Sequence, residues 1–131
     1  MKIVKNVSVA LFIALTIPNV VYAVIWPTCP TPAQISQSRV NEIFYLELNG
    51  TILKGTPIVS NSTPWYVHIV MQTKNIGNTA LFSKGQQALN AIINNPVEES
   101  IKNVFKCTYN TTIDEYTYVL VTSAPLSITN P

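Results

Sequence analysis

Trp65-Tyr66-Val67-His68-Ile69-Val70-Met71-Gln72-Thr73 is the stretch on which the fold turns. Trp65, Val67, Ile69 and Met71 fall on one face of an extended chain, and Tyr66, His68, Val70 and Gln72 on the other. Period-two alternation of this length, rich in β-branched and aromatic residues, predicts a strand. The first face is wholly apolar and predicts a core. The second is mixed and predicts a wetter side.

Working toward the C-terminus, Asn75 to Thr79 predicts a turn in which Asn78 or Thr79 caps a helix through its side-chain oxygen. Ala80 to Asn94 fits that helix, with Leu81, Gly85, Ala88, Leu89 and Ile92 in a narrow apolar stripe. The small Gly85 and Ala88 let such a helix lie close to a sheet, and Asn95-Pro96 ends it. Residues 103–110 predict a strand with Phe105, Cys107 and Tyr109 on one face. Thr111 to Glu115 turns the chain. Tyr116 to Thr122 predicts the last strand, with Tyr116, Tyr118 and Leu120 opposed to Thr117, Val119 and Val121.

Toward the N-terminus, Ser60 to Pro64 reads as a polar loop. Residues 40–48 alternate as a strand, Asn49-Gly50 suits a type I′ turn, and Thr51 to Lys54 returns until Gly55, Thr56 and Pro57 interrupt it. Residues 27–38 form a Pro-containing polar lead with a short helical turn after Pro32. The sum is a small α+β domain: an antiparallel sheet of four or five strands with one helix packed on a face.

The first 23 residues read differently. Lys2 and Lys5 precede the uncharged apolar run Val7 to Ile17, Pro18 breaks it, and Val21-Tyr22-Ala23 places modest side chains three and one residues before a cut. This is signal-peptide grammar, so the expectation is cleavage after Ala23 and one domain over residues 24–131. An uncleaved anchor running on through Val24, Ile25 and Trp26 competes, but Pro18 and Asn19 argue against a stable span. The approach to Cys29 through Trp26-Pro27-Thr28 does not suit lipid attachment.

Removal of Lys2 and Lys5 changes the charge. Arg39, Lys54, Lys74, Lys84, Lys102 and Lys106 then balance Glu42, Glu47, Glu98, Glu99, Asp114 and Glu115, and no basic excess remains for nucleic acid or an anionic membrane. The two cysteines, Cys29 and Cys107, read as one disulfide in a secreted or periplasmic protein. The competing reading is a free-thiol or Cys–His pair.

Catalytic chemistry finds little to work with. His68 is the single histidine, and nothing near it marks a nucleophile elbow. Glu98-Glu99 and Asp114-Glu115 are adjacent acids that read as solvated turns. There is no metal-ligand spacing and no glycine-rich phosphate loop. The expectation is a protein that is not an enzyme and requires no cofactor. His68 could ligate a metal or haem iron, or simply sit on the wetter side of a sheet. Tyr66, Tyr116 and Tyr118, with Tyr45 and Tyr109, would form an amphipathic patch if they shared an exposed face, or could be ordinary strand residues.

One resemblance adds to this. A signal peptide, Cys29-Pro30 opening the mature chain, the Trp65 strand, the Ala80–Ile93 helix with Ala88-Leu89, and Cys107-Thr108-Tyr109-Asn110-Thr111 together cover nearly the whole mature sequence. This layout resembles a family of small exported proteins of gamma-proteobacterial intracellular pathogens, some labelled haemin-binding and most uncharacterised. Phe105 departs from it, since the family pattern has Trp two residues before the cysteine. The resemblance implies export, one disulfide and haemin binding, but transfers no ligand residues. The binding candidates His68, Tyr66, Tyr116 and Tyr118 come from their chemistry alone. The reading is thus an exported binding protein for haemin. The alternative is a secreted, host-directed or inhibitory protein-interaction factor with no small-molecule ligand.

Overall fold

A computed structural model describes residues 27–47, 50–72 and 77–126, with side chains left aside at 45–47. The expected signal segment, Asn49 of the expected turn and the tail from 127 lie outside these residues.

The predicted central strand is there as β4, Thr63–Met71. Trp65, Val67, Ile69 and Met71 are all buried on the core face. β1 (Val40–Glu47), β2 (Gly50–Gly55), β3 (Ile58–Ser60), β5 (Val97–Ile101), β6 (Val104–Asn110) and β7 (Tyr118–Thr122) complete a sheet ordered β1-β2-β4-β7-β6-β5, with β3 also on β4. Every pairing is antiparallel.

The expected four or five strands become seven, and the one helix becomes two. β2 and β3 are one run broken at Thr56-Pro57, and both lie along β4. β5 escapes the alternation rule because all five of its residues are exposed. Gly50 stands in the ladder opposite Glu47, one place beyond the turn expected of it.

The short helix α1 is Pro32–Ile35. Its first turn is built by a capping box in which the Thr31 side chain and Gln34 bond each other's amides, with Pro32 preset for the helix.

The long helix α2 runs Asn78–Leu89, against the expected 80–94. Its N-cap is Gly77, which offers no side-chain cap, so Asn78 and Thr79 lie inside the helix. It stops early because the following chain is taken by the sheet. Ile93 N–H donates to the Asn110 carbonyl and Thr112 N–H to the Ala91 carbonyl, each at 2.9 Å. Ile92, expected on the helical stripe, instead bridges Thr111.

α2 lies in the crossover from β4 to β5 and packs on β1, β4 and β7. Leu81, Ala88 and Leu89 press against Leu53, Ile69, Val119 and their neighbours, each Leu, Ile or Val side chain contributing about 1.5–3 kcal/mol on burial. Gly85 makes the close approach possible, because a Cβ there would stand 2.6 Å from Leu53 Cδ1 and 3.3 Å from Val40 Cγ2. Gln86 pins the start of β1, accepting from Val40 N–H and donating to the Ser38 carbonyl.

The lead is fastened beneath the sheet. Cys29 and Cys107 form a disulfide across 78 residues, with Cα atoms 6.0 Å apart. Tyr109 Oη donates to the Pro30 carbonyl in the same buried layer. Burial, with the charge of Glu98 adding, pushes the Tyr109 phenol well above its ordinary pKa. Among the described residues no helix is long and apolar enough to cross a membrane.

Candidate functional site

The second face of β4 carries the residues that the sequence singled out. Directly opposed residues of antiparallel strands share a face. His68 pairs with Lys54 on β2 and Leu120 on β7, Val70 pairs with Ile52 and Tyr118, and Tyr66 pairs with Thr122. His68, Tyr66 and Tyr118 are therefore on one face, opposite to the helix. Tyr109 is on the core face instead, and Tyr116 lies in the loop before β7.

His68 is not on a wetter side, for it has no exposed surface. The cause is a bulge. The β1–β2 register slips between Ile43 and Tyr45, leaving Phe44 as the extra residue. The Phe44 ring lies 5.8 Å from the imidazole at 51°, and Lys54 Nζ stands over that ring at 5.2 Å. The imidazole Nδ1 is 3.3 Å from the Leu120 carbonyl, while Nε2 is buried with no hydrogen-bond partner among the described residues. Burial lowers the His68 pKa, the Leu120 carbonyl opposes the shift, and Lys54 adds to it. The ring is neutral at pH 7, donating from Nδ1 and holding a bare Nε2 lone pair.

The tyrosines divide. Tyr66 and Tyr118 are half-buried, whereas Tyr116 is 56 % exposed. Tyr116 and Tyr118 meet in a pocket of about 330 Å³ with Gly50, Val70, Met71 and Glu115 on its walls. Tyr66 and His68 are not on those walls.

Asp114 shapes the pocket's outer wall. Its Oδ1 accepts from the amides of Tyr116 at 2.8 Å and Thr117 at 2.7 Å, an Asx-type turn that fixes the direction of Tyr116. Slight desolvation raises the Asp114 pKa, but these hydrogen bonds and Lys84, 3.9 Å away, outweigh it and hold the carboxyl below its ordinary value. Thr111 closes the loop from within, donating to the buried Thr117 carbonyl at 2.9 Å. The Asp114-Glu115 pair is thus a turn, as the sequence suggested. Glu98 and Glu99 are instead in the middle of β5, on opposite faces.

A larger cleft, about 540 Å³, opens between the β3–β4 and β5–β6 hairpin tips. Asn61, Asn103, Phe105 and Ser123 help to line it, and no acid, base or candidate binding residue does. The sequence carried no signal for it, because its walls come from four separated segments. Among the described residues no group of three or more His, Cys, Asp or Glu side chains could hold a metal ion.

Comparison with protein-family models, with curated proteins and with solved structures gave no match to this chain.

Proposed function

We propose that the protein is an exported, disulfide-tied binding protein without catalytic activity, and that the pocket at Tyr116 and Tyr118 takes a planar, mainly apolar ligand of the haemin class. One observation carries this reading: two tyrosines separated by one residue are brought with Val70 and Met71 to a single opening of about 330 Å³. A phenol oxygen is a competent ligand for ferric haem iron, and aromatic and aliphatic walls suit a porphyrin face. The volume is at the small end for ligand pockets, so the ligand keeps a large exposed area. His68 does not reach the iron in this reading, since Phe44 and the flanking strands cover it. It supports the face from below. Export rests on the charged, apolar, small-residue order of the first 23 residues and fits a Cys29–Cys107 bond, which belongs to an oxidising compartment.

Haemin titration of the oxidised protein tests the proposal. The expected result is a displaced Soret band with a phenolate-to-iron charge-transfer absorption. Tyr116→Phe/Tyr118→Phe should abolish that absorption and weaken binding about tenfold, roughly 1.4 kcal/mol. An unchanged Soret band, or a double variant that binds like the parent, overturns the reading.

A further inference from the structure

The two edges of the sheet are built in opposite ways. β1 is irregular, with register slips between Val40 and Glu42 and between Ile43 and Tyr45. Such bulges twist an edge away from intruding strands. β5 has none, and its five residues pair one to one with β6, from Val97 opposite Thr108 to Ile101 opposite Val104. All five are exposed, Val97 at 61 % and Ile101 at 52 %. Among the described residues β6 is the only strand it pairs with.

The hairpin turn decides which backbone groups are left over. Lys102 and Asn103 both have positive φ, 49° and 66°, as a two-residue type I′ turn requires. Ile101 and Val104 therefore form the hydrogen-bonded closing pair, and the pattern alternates from there. Val97, Glu99 and Ile101 turn their N–H and C=O groups toward β6. Glu98 and Ser100 turn theirs outward, a row of two donors and two acceptors ready for an added strand.

Charge selects the occupant. Glu99 is neutralised within the sheet by Lys106, 3.2 Å away. Among the described residues Glu98 has no ion pair, and it stands on the other face. A second copy of this chain, paired antiparallel in full overlap, would set Glu99 against Glu99 and leave Glu98 opposite Ser100, which adds like charge and satisfies none. We infer that β5 is a docking edge for an extended segment of a partner protein, added antiparallel. That segment carries Lys or Arg opposite Glu98 and apolar side chains opposite Val97 and Ile101.

This surface is separate from the tyrosine pocket, so its test and the haemin titration can fail independently. The probe is the blocked peptide Thr-Ile-Thr-Thr-Lys-Val-Thr, whose Lys stands opposite Glu98 when its Val and Ile face Val97 and Ile101. Two-dimensional amide NMR of the oxidised protein should show shifts centred on the Glu98 and Ser100 amides. The Glu98→Lys variant should bind at least threefold more weakly, and exchanging the peptide's Lys for Glu should restore the loss. Ser100→Pro removes one outward donor and none of the bonds to β6, so it should abolish the shifts while the β6 signals stay in place. Absence of shifts at Glu98 and Ser100 with millimolar peptide overturns the inference. So does equal binding of the Lys and Glu peptides. A concentration-dependent dimer lost in Ser100→Pro overturns it too, by giving the edge to a second copy.

Discussion

At the scale of single residues, His68 has the sharpest consequence. Its pKa in the folded chain is below the ordinary 6.5, because burial disfavours the charged ring and Lys54 stands near. The unfolded chain therefore takes up a proton first as pH falls. The stabilisation associated with the neutral ring is full above pH 6.5 and declines below it, until pH passes the depressed folded value. The slope for one proton cannot exceed about 1.4 kcal/mol per pH unit. Urea midpoints measured from pH 8 down to pH 5 should fall below 6.5 for the parent and stay level for His68→Leu. An equal fall in both would place the acid sensitivity elsewhere. The alternation around Trp65 was enough to put His68 on the second face. It could not show that Phe44, twenty-four positions earlier, would close over it, because that depends on a bulge in another strand. Tyr66 and Tyr118 were likewise legible as sharing a face, whereas the loop position of Tyr116 depends on Asp114 holding the Tyr116 and Thr117 amides, so that the strand starts two residues late.

Among the elements, the hairpins explain most of what the sequence concealed. β3–β4 turns at Asn61 and Ser62, with φ of 52° and 65°, and β5–β6 at Lys102 and Asn103. Neither has the Asn-Gly or Asp-Gly signature of a type I′ turn. Ser62 and Lys102 hold the left-handed backbone without glycine's freedom or the full tolerance of Asn. Ser62→Gly and Lys102→Gly should each stabilise the protein, by up to about 1 kcal/mol. Guanidinium midpoints that fall in both variants would contradict this. β5 was hidden as well, because strand patterning reads a buried face and this strand buries none of its residues. α2 was visible from its stripe, yet its end was set by hydrogen bonds to Asn110 and Thr112 that no local pattern carries.

For the whole molecule, the Cys29–Cys107 bond is the longest constraint. It closes a loop over most of the described chain and holds the lead beneath β6. In the chain-entropy account a loop of this size contributes on the order of 4 kcal/mol, much of the margin of a small domain. The Cys29→Ser/Cys107→Ser variant should lose that amount in denaturant titration, and a loss under 1 kcal/mol would show that Tyr109 and the capping box fasten the lead without it. The sequence alone determined the core strand and its buried face, the helix and the close approach at Gly85, and the one disulfide that two cysteines can form within the chain. Each follows from local periodicity, residue size or a count with one solution. The tertiary structure alone decided that His68 is sealed, that Tyr116 and Tyr118 share a pocket, and that one sheet edge is bulged while the other is regular. Those outcomes depend on register between strands far apart in the chain, and a one-residue slip in register changes which side chains meet.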